Sequence, residues 1–338
     1  MREGVGIEAE AYFLPESKRN VSEVLEEEDI PLGTLAKAID FRQDVGIEEI
    51  HVTEELSSQL ALRAVQKVMT KAGLTGNDID VVIDFTSIPE DYIGPTWSAA
   101  GFIQREIDAR NAFCTAITVG GCSSYHFALQ SACALISSES GLKRALLFAG
   151  DRTPKYNKTY YPITVSSDGG SALILRKGCG RAIITDIDII SVGRLHDVWY
   201  VPGLGQRTGD REDNLERLLH MHCNVKKFND NVILMNFTMF NRLIDRILRK
   251  AGKSREDIDL YIYPNFSTWD QDYFCRATGI PREKVYTRRL AERGHVQESD
   301  MVINYRDALD DGLITKGSLV MTLTNGAGFA WSAAIVRH

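Results

Sequence analysis

The strongest constraint in this chain is that part of it occurs twice. Lys71-Ala-Gly-Leu-Thr-Gly-Asn-Asp-Ile-Asp-Val-Val-Ile-Asp84 is echoed without a gap, 179 positions on, by Lys250-Ala-Gly-Lys-Ser-Arg-Glu-Asp-Ile-Asp-Leu-Tyr-Ile-Tyr263. Each copy follows a stretch with the apolar spacing of an amphipathic helix, Leu60 to Thr70 in one and Phe240 to Lys250 in the other. Each then turns at a glycine suited to a helix C-cap and enters an apolar strand. The offset is about half of the 338 residues, so the pattern predicts a duplicated α/β chain with halves at 1–178 and 179–338.

A looser echo runs in the same order. Ala145 to Leu175 reads strand, loop, Ser167-Asp-Gly-Gly170, strand, and Ser318 to Val336 reads strand, Asn325-Gly-Ala-Gly328, strand. Both halves are thus expected to end on a glycine-punctuated hairpin. Between the landmarks, Ala112 to Val119 reads as a strand ending at Gly120-Gly121. Ser123 to Ser138 reads as a helix whose small residues (Ala128, Ser131, Ala132, Ala134) suit the middle of the molecule. Leu195 to Asn229, with Pro202-Gly-Leu-Gly205, has no clear period and reads as loops and short helices shaping a site or an interface. No low-complexity linker separates the halves, so they are expected to pack as one unit.

Composition narrows the function classes. A 44% hydrophobic content supplies a substantial core, and a net charge of -7 argues against broad nucleic-acid binding. The clusters Lys155 to Lys158 and Arg288 to Arg293 read as solvated loops. The N-terminal residues lack a basic region followed by an apolar run, and no stretch reaches the roughly 18 apolar residues of a membrane span, so neither export nor membrane insertion is expected. Six cysteines without a CxxC pair suggest neither a disulfide scaffold nor a zinc site, and a reducing cytoplasm fits them best.

Cys122 stands where a strand meets a helix, after two glycines. Unpaired N–H groups and the helix dipole there favour thiolate over thiol, and the glycines permit a turn from which the sulfur projects with its own N–H open to an oxyanion. The alternative is a buried, inert cysteine.

The run Val119-Gly-Gly-Cys-Ser-Ser-Tyr-His-Phe-Ala-Leu129, then Ala145-Leu-Leu-Phe-Ala-Gly-Asp151, Ser167-Asp-Gly-Gly-Ser-Ala172 and Asn325-Gly-Ala-Gly-Phe-Ala-Trp-Ser-Ala-Ala-Ile-Val336 resemble β-ketoacyl-acyl-carrier-protein synthase III of the thiolase superfamily, in order and spacing. Val45-Gly-Ile-Glu-Glu-Ile-His-Val52 resembles that family's early segment, and Val5-Gly-Ile-Glu-Ala-Glu-Ala-Tyr-Phe-Leu-Pro15 is similar to the start of hydroxymethylglutaryl-CoA synthases, relatives on the same fold. The resemblance implies a homodimer of five-layered α-β-α-β-α subunits. It implies Cys122 as the acyl-carrying nucleophile at the end of a tunnel, and the N–H groups of Cys122 and Ala327 as the oxyanion hole.

The chain departs from the family at the acid/base positions. A Pro-His-Gln motif reads Pro264-Asn265-Phe266, and a Gly-Asn motif reads Gly294-His295, as though histidine and asparagine were exchanged. Two hydrogen-bond donors remain, so enolate chemistry with a malonyl thioester stays open. A lone imidazole beside an acyl-cysteine also suits deprotonation of an alcohol or amine acceptor, and acyl transfer is the preferred reading. For His295 the competing reading is a surface histidine beside Glu292 and Arg293. His126, four residues after Cys122, reads as a core or interface histidine, Cys133 as packing and Asp168 as a turn stabiliser.

The resemblance also implies an acyl-CoA or carrier-protein thioester as substrate and no tightly bound cofactor or metal. The family's early Trp for CoA is missing, since no Trp occurs before Trp97, and Tyr160 stands where a CoA-binding Arg is expected. Lys155, Lys158, Arg207 or Lys226 are the basic residues offered to a carrier protein. A non-catalytic partner subunit is the alternative from another class, disfavoured because Cys122 and the glycine hairpin are retained. A degradative thiolase lacks its second cysteine after Cys275, and no Gly-x-Ser-x-Gly elbow supports a serine hydrolase.

Overall fold

The computed structural model describes residues 4–28, 34–35, 39–87, 91–92, 97–118, 120–138, 141–153, 158–160, 163–200 and 222–338. Ten strands carry the architecture: β1 (Val5–Phe13), β2 (Val81–Asp84), β3 (Phe113–Ala116), β4 (Arg144–Asp151), β5 (Gly169–Lys177), β6 (Ile183–Ser191), β7 (Leu260–Ile262), β8 (Val285–Tyr286), β9 (Leu319–Gly326) and β10 (Ala330–Arg337). Their order is β8-β7-β9-β10-β6-β1-β5-β4-β2-β3. Adding five to each label of β1-β5-β4-β2-β3 gives β6-β10-β9-β7-β8, so the two halves share one strand order. They also share strand directions: β2 lies parallel to β3 and β4, as β7 does to β8 and β9. The halves meet where β1 and β6 pair antiparallel at Gly6 and Ile183.

Six longer helices repeat the plan: α1 (Ser57–Ala72), α2 (Ala99–Glu106), α3 (Ser124–Ser138), α4 (Leu234–Ala251), α5 (Thr268–Thr278) and α6 (Asp300–Asp310). The sequence echo lies at α1 and α4, which end on Gly73 (φ 65) and Gly252 (φ 64), left-handed caps that a side chain would strain. Strand residues alternate between two buried faces. Ala145, Leu147 and Ala149 of β4 join a central core with Tyr125, Ala128, Leu129 and Ala132 of α3 and Met301, Val302 and Tyr305 of α6. Leu146 and Phe148 of the same strand point to an outer core with Ala61, Ala64, Val65 and Val68 of α1. In the second half, Met321, Leu323, Trp331 and Ala333 pack outward against Phe240, Leu243 and Ile247 of α4. The layers are helix, sheet, central helices, sheet, helix, a thiolase-like fold.

The small residues of α3 have two fates. Ala128 and Ala132 are buried in the central core, while Ser131 is half-buried and Ala134 is exposed. The two glycine-punctuated hairpins also differ. β9 and β10 are joined by three residues, whereas the Asp168 turn closes a long excursion between β4 and β5. Asp168 binds three segments of that excursion and its surroundings: it accepts from the backbone N–H groups of Thr53 (3.0 Å) and Thr153 (3.1 Å) and from Lys158 Nζ (2.5 Å). Of the irregular region, 201–221, with Pro202 to Gly205 and Arg207, lies outside the described residues. Trp199–Tyr200 pairs with His222–Cys223 beside it.

His126 belongs to the central packing. It is buried between Ser332 Oγ and Thr322 Oγ1, each 2.8 Å from a ring nitrogen, and burial lowers its pKa from 6.5 to about 3. Below pH 6.5 the unfolded chain takes up a proton that the folded chain refuses, so stability contributed by neutral His126 is lost as pH falls from 6.5 towards 3. Denaturant titrations over that range should show His126→Gln losing less stability than wild type, by about 3 to 5 kcal/mol at the acid end.

Candidate active site

Cys122 sits in the single 3-10 turn Gly121–Ser123 that feeds α3, after Gly120 (φ 112) and Gly121 (φ 53). The turn is pressed against the β9–β10 hairpin. A Cβ on Gly121 would lie 2.6 Å from the Ala327 nitrogen, and one on Gly326 only 1.8 Å from the Gly120 carbonyl oxygen. Only glycine fits either place, and the result is that the backbone nitrogens of Cys122 and Ala327 share one small space.

His295 comes to the sulfur from the other half. Its backbone is clipped to the Asp168 excursion, with its N–H donating to Val165 O (3.1 Å) and its carbonyl accepting from Ser167 N–H (2.8 Å). Nε2 then lies 3.5 Å from Cys122 Sγ, and Phe266 packs edge-on against the imidazole at 4.9 Å. His295 is only 2% exposed, which removes the surface-histidine reading.

Sequence reasoning missed the third member. Asp300, the first residue of α6 and fully buried, receives His295 Nδ1–H at 2.6 Å on Oδ2. The same oxygen accepts from Asn265 N–H (2.7 Å), and Oδ1 accepts from Val296 N–H (2.9 Å). Backbone N–H groups can only donate, so Asp300 is held as an acceptor. It fixes a proton on Nδ1, so that in the neutral ring the lone pair is on Nε2, which faces the thiol. The available signal was a carboxylate five residues after His295, indistinguishable in sequence from an acid favouring a helix N-terminus.

Asn265 is brought to this group only through Asp300. Its Oδ1 accepts from Asn304 Nδ2 at 3.0 Å, and its own Nδ2 has no hydrogen-bond partner among the described residues. The cavity at Cys122 is lined by its neighbour Phe266 rather than by Asn265.

The thiolate expected from the helix N-terminus is corrected here. Burial pushes the Cys122 thiol well above its ordinary range, and Glu298, Asp300 and Asp151 push in the same direction. A short turn with nearby buried acids does not offset desolvation, so the resting sulfur is a thiol. Glu298 accepts from Ser87 N–H (2.6 Å) and from the Ser87 hydroxyl. Burial drives its partner Asp151 well up, and Glu298 itself is raised to about 7 by burial.

The cavity beside Cys122 has a volume of about 300 Å³, with Tyr160, Ile163, Trp199, Phe266 and Phe329 supplying apolar walls. Trp199 stacks on Phe329 at 5.6 Å. A larger cavity of about 600 Å³, between Arg19, Arg63 and Arg152, contains none of the candidate catalytic residues, so size does not mark the chemistry.

Lys158 does not face a carrier protein: it is 3% exposed and consumed by Asp168 and the Thr153 carbonyl. Lys155 and Arg207 lie outside the described residues, and Lys226 is exposed and paired with Asp230. Nor are Arg288 to Arg293 simply solvated, because Arg288, Arg289 and Arg293 bind Asp307 and Asp311 in and beside α6. Among the described residues, no cluster of three or more His, Cys, Asp or Glu is arranged to hold a metal, and no helix is long and apolar enough to cross a membrane.

Residues 248–338 match the family described as 3-oxoacyl-[acyl-carrier-protein (ACP)] synthase III C terminal. The chain is 27% identical over 310 residues to a β-ketoacyl-[acyl-carrier-protein] synthase III of Clostridium perfringens, covering 88% of this chain and 90% of that one. This chain is synthase III-like along most of its length. The fold extends to the 3-oxoacyl-(acyl carrier protein) synthase III of Pseudomonas aeruginosa, with a TM-score of 0.80 at 20% identity over 99% of this chain and 98% of that one. It extends equally to ChlB3, an acyltransferase, with a TM-score of 0.80 at 21% identity over 99% and 97%. The synthase III-like chain is an enzyme of the transferase type, on a fold shared by a protein named as a synthase and one named as an acyltransferase.

Proposed function

We propose that this enzyme carries an acyl group as a thioester on Cys122 and passes it, without decarboxylation, from CoA or a carrier protein to an alcohol or amine. The observation that carries the reading is the line Cys122, His295, Asp300, in which Asp300 holds the proton on Nδ1 and turns Nε2 of the neutral ring to the sulfur as an acceptor. Stabilising an enolate requires Nε2–H as a donor, whereas deprotonating an incoming nucleophile requires a lone pair there.

In the first half-reaction Cys122 Sγ attacks the thioester carbon as its proton passes to Nε2. The N–H groups of Cys122 and Ala327 receive the oxyanion, and the imidazolium, held by Asp300, returns the proton to the departing thiolate. In the second, the acceptor's O–H or N–H proton passes to Nε2 as the heteroatom attacks the acyl carbon. The carbon–sulfur bond then breaks, and Cys122 recovers its proton from His295. Asn265, outside the cavity lining, acts through its backbone N–H, which holds the Asp300 carboxylate that orients the base. The enzyme acts as a homodimer through β3, an edge strand with Phe113 45% exposed, and its halves are 1–178 and 179–338.

Intact-mass measurement after incubation with acyl thioesters on CoA and on carrier protein tests this. Wild type is expected to gain one acyl mass that Cys122→Ala does not, and alcohols or amines are expected to discharge it. Discharge only by a malonyl thioester, with release of carbon dioxide, would establish decarboxylative condensation instead. A folded protein that no thioester labels would point to a non-catalytic partner subunit.

A further inference from the structure

The strand that leads into Ala327 also holds a polar group that the mechanism leaves unused. Asn325, the next-to-last residue of β9, lines the cavity at Cys122 and is 7% exposed. Its orientation is fixed by a chain of donors and acceptors. The indole Nε1–H of Trp331 can only donate, and it meets Asn236 at 2.7 Å, so Asn236 presents its Oδ1 there. That same Oδ1 is 3.2 Å from the Asn325 side chain, which must therefore present Nδ2 to it. The opposite end of the Asn325 amide, Oδ1, has no hydrogen-bond partner among the described residues. A buried carbonyl oxygen left in this way costs free energy until a donor meets it.

We propose that Asn325 Oδ1 selects the acyl acceptor by accepting a hydrogen bond from a second polar hydrogen on, or next to, its reacting atom. The inference rests on the proposed acyl transfer and deepens it. His295 Nε2 takes the hydrogen that leaves the nucleophile, so a simple alcohol has nothing to offer Asn325. A primary amine has a second N–H on the reacting atom, and a vicinal diol has a second O–H beside it. Asn325 is two residues before Ala327 and lines the same cavity as Cys122, so the second hydrogen is read close to the acyl carbon. Asn325 is a specificity residue, and Asn236 and Trp331 position it.

The test uses binding and so needs no acylation. Cys122→Ala protein, with and without Asn325→Leu, is titrated by ligand-observed NMR with two pairs of neutral probes: aniline against N-methylaniline, and 1-phenyl-1,2-ethanediol against 2-phenylethanol. The expected result is a preference for the two-donor member of roughly three- to tenfold, lost in Asn325→Leu through weaker binding of that member alone. Loss confined to the amine pair or to the diol pair supports the proposal and names the source. Asn236→Leu, which frees the Asn325 amide to turn, should also reduce the preference, and Asn236→Asp, which can accept both donors, should keep it. No preference in the parent, or one that Asn325→Leu leaves unchanged, overturns the proposal. Because Cys122 is absent throughout, failure here is distinct from failure of wild-type Cys122 to take an acyl group.

Discussion

Asp300→Asn is expected to slow acylation of Cys122 by about 10²- to 10⁴-fold, the range that general base catalysis supplies. Asp300 accepts three N–H groups, from His295, Asn265 and Val296, and an asparagine has only one carbonyl to replace two carboxylate oxygens. If its amide N–H₂ turns towards His295, the imidazole must accept at Nδ1 and carry its proton on Nε2. The atom facing the sulfur is then a donor and cannot take the thiol proton. Burial has already pushed that thiol well up, so it does not ionise unaided at neutral pH. The variant should consequently regain rate as pH rises, by about tenfold per unit while pH stays below the thiol pKa, because each unit raises the thiolate fraction tenfold. Single-turnover intact-mass kinetics from pH 7 to 9.5 would record this. Acylation at the wild-type rate and pH dependence would exclude Asp300 from orienting the base.

The same comparison shows what one sequence can disclose. The doubled helix, glycine turn and strand were readable because local signals, an apolar period of 3.6 and a left-handed cap, recur at α1 and α4. They sufficed for a duplicated fold, and the family likeness supplied its five layers. Cys122 stood out because two glycines precede it where a strand meets a helix, and His295 because it occupies a motif position normally held by another residue. What was not readable depends on burial and on partners distant in sequence. Lys158 looks like part of a solvated basic run, yet it is buried against Asp168. Cys122 has the local environment of a thiolate, and burial, with Glu298, Asp300 and Asp151 nearby, pushes its thiol the other way. Asp300 carries no motif, and its part is visible only when β7, the His295 segment and α6 converge. Asn325 lies inside a glycine-rich hairpin that the sequence reading treated as backbone alone, and its role depends on Trp331 and Asn236.

Gly326→Ala separates the oxyanion site from the nucleophile. A methyl group there would stand 1.8 Å from the Gly120 carbonyl oxygen and 2.7 Å from the nitrogens of Cys122 and Ser123. These are backbone atoms, so the hairpin must move away as a unit and carry Ala327 N–H with it. Losing one preorganised donor is expected to cost about 10²- to 10³-fold in acylation rate. Alkylation of Cys122 by iodoacetamide provides the contrast, since displacement at an sp³ carbon forms no oxyanion but still needs the thiol and His295. The variant should therefore alkylate within a few-fold of wild type while its acylation by thioester falls steeply. Equal losses in both reactions would mean that the methyl group has displaced the sulfur itself, and the second donor would then have to be sought elsewhere than Ala327. A large loss in acylation alone places the oxyanion between the two halves of the duplicated chain, with one donor from the turn before α3 and the other from the β9–β10 hairpin.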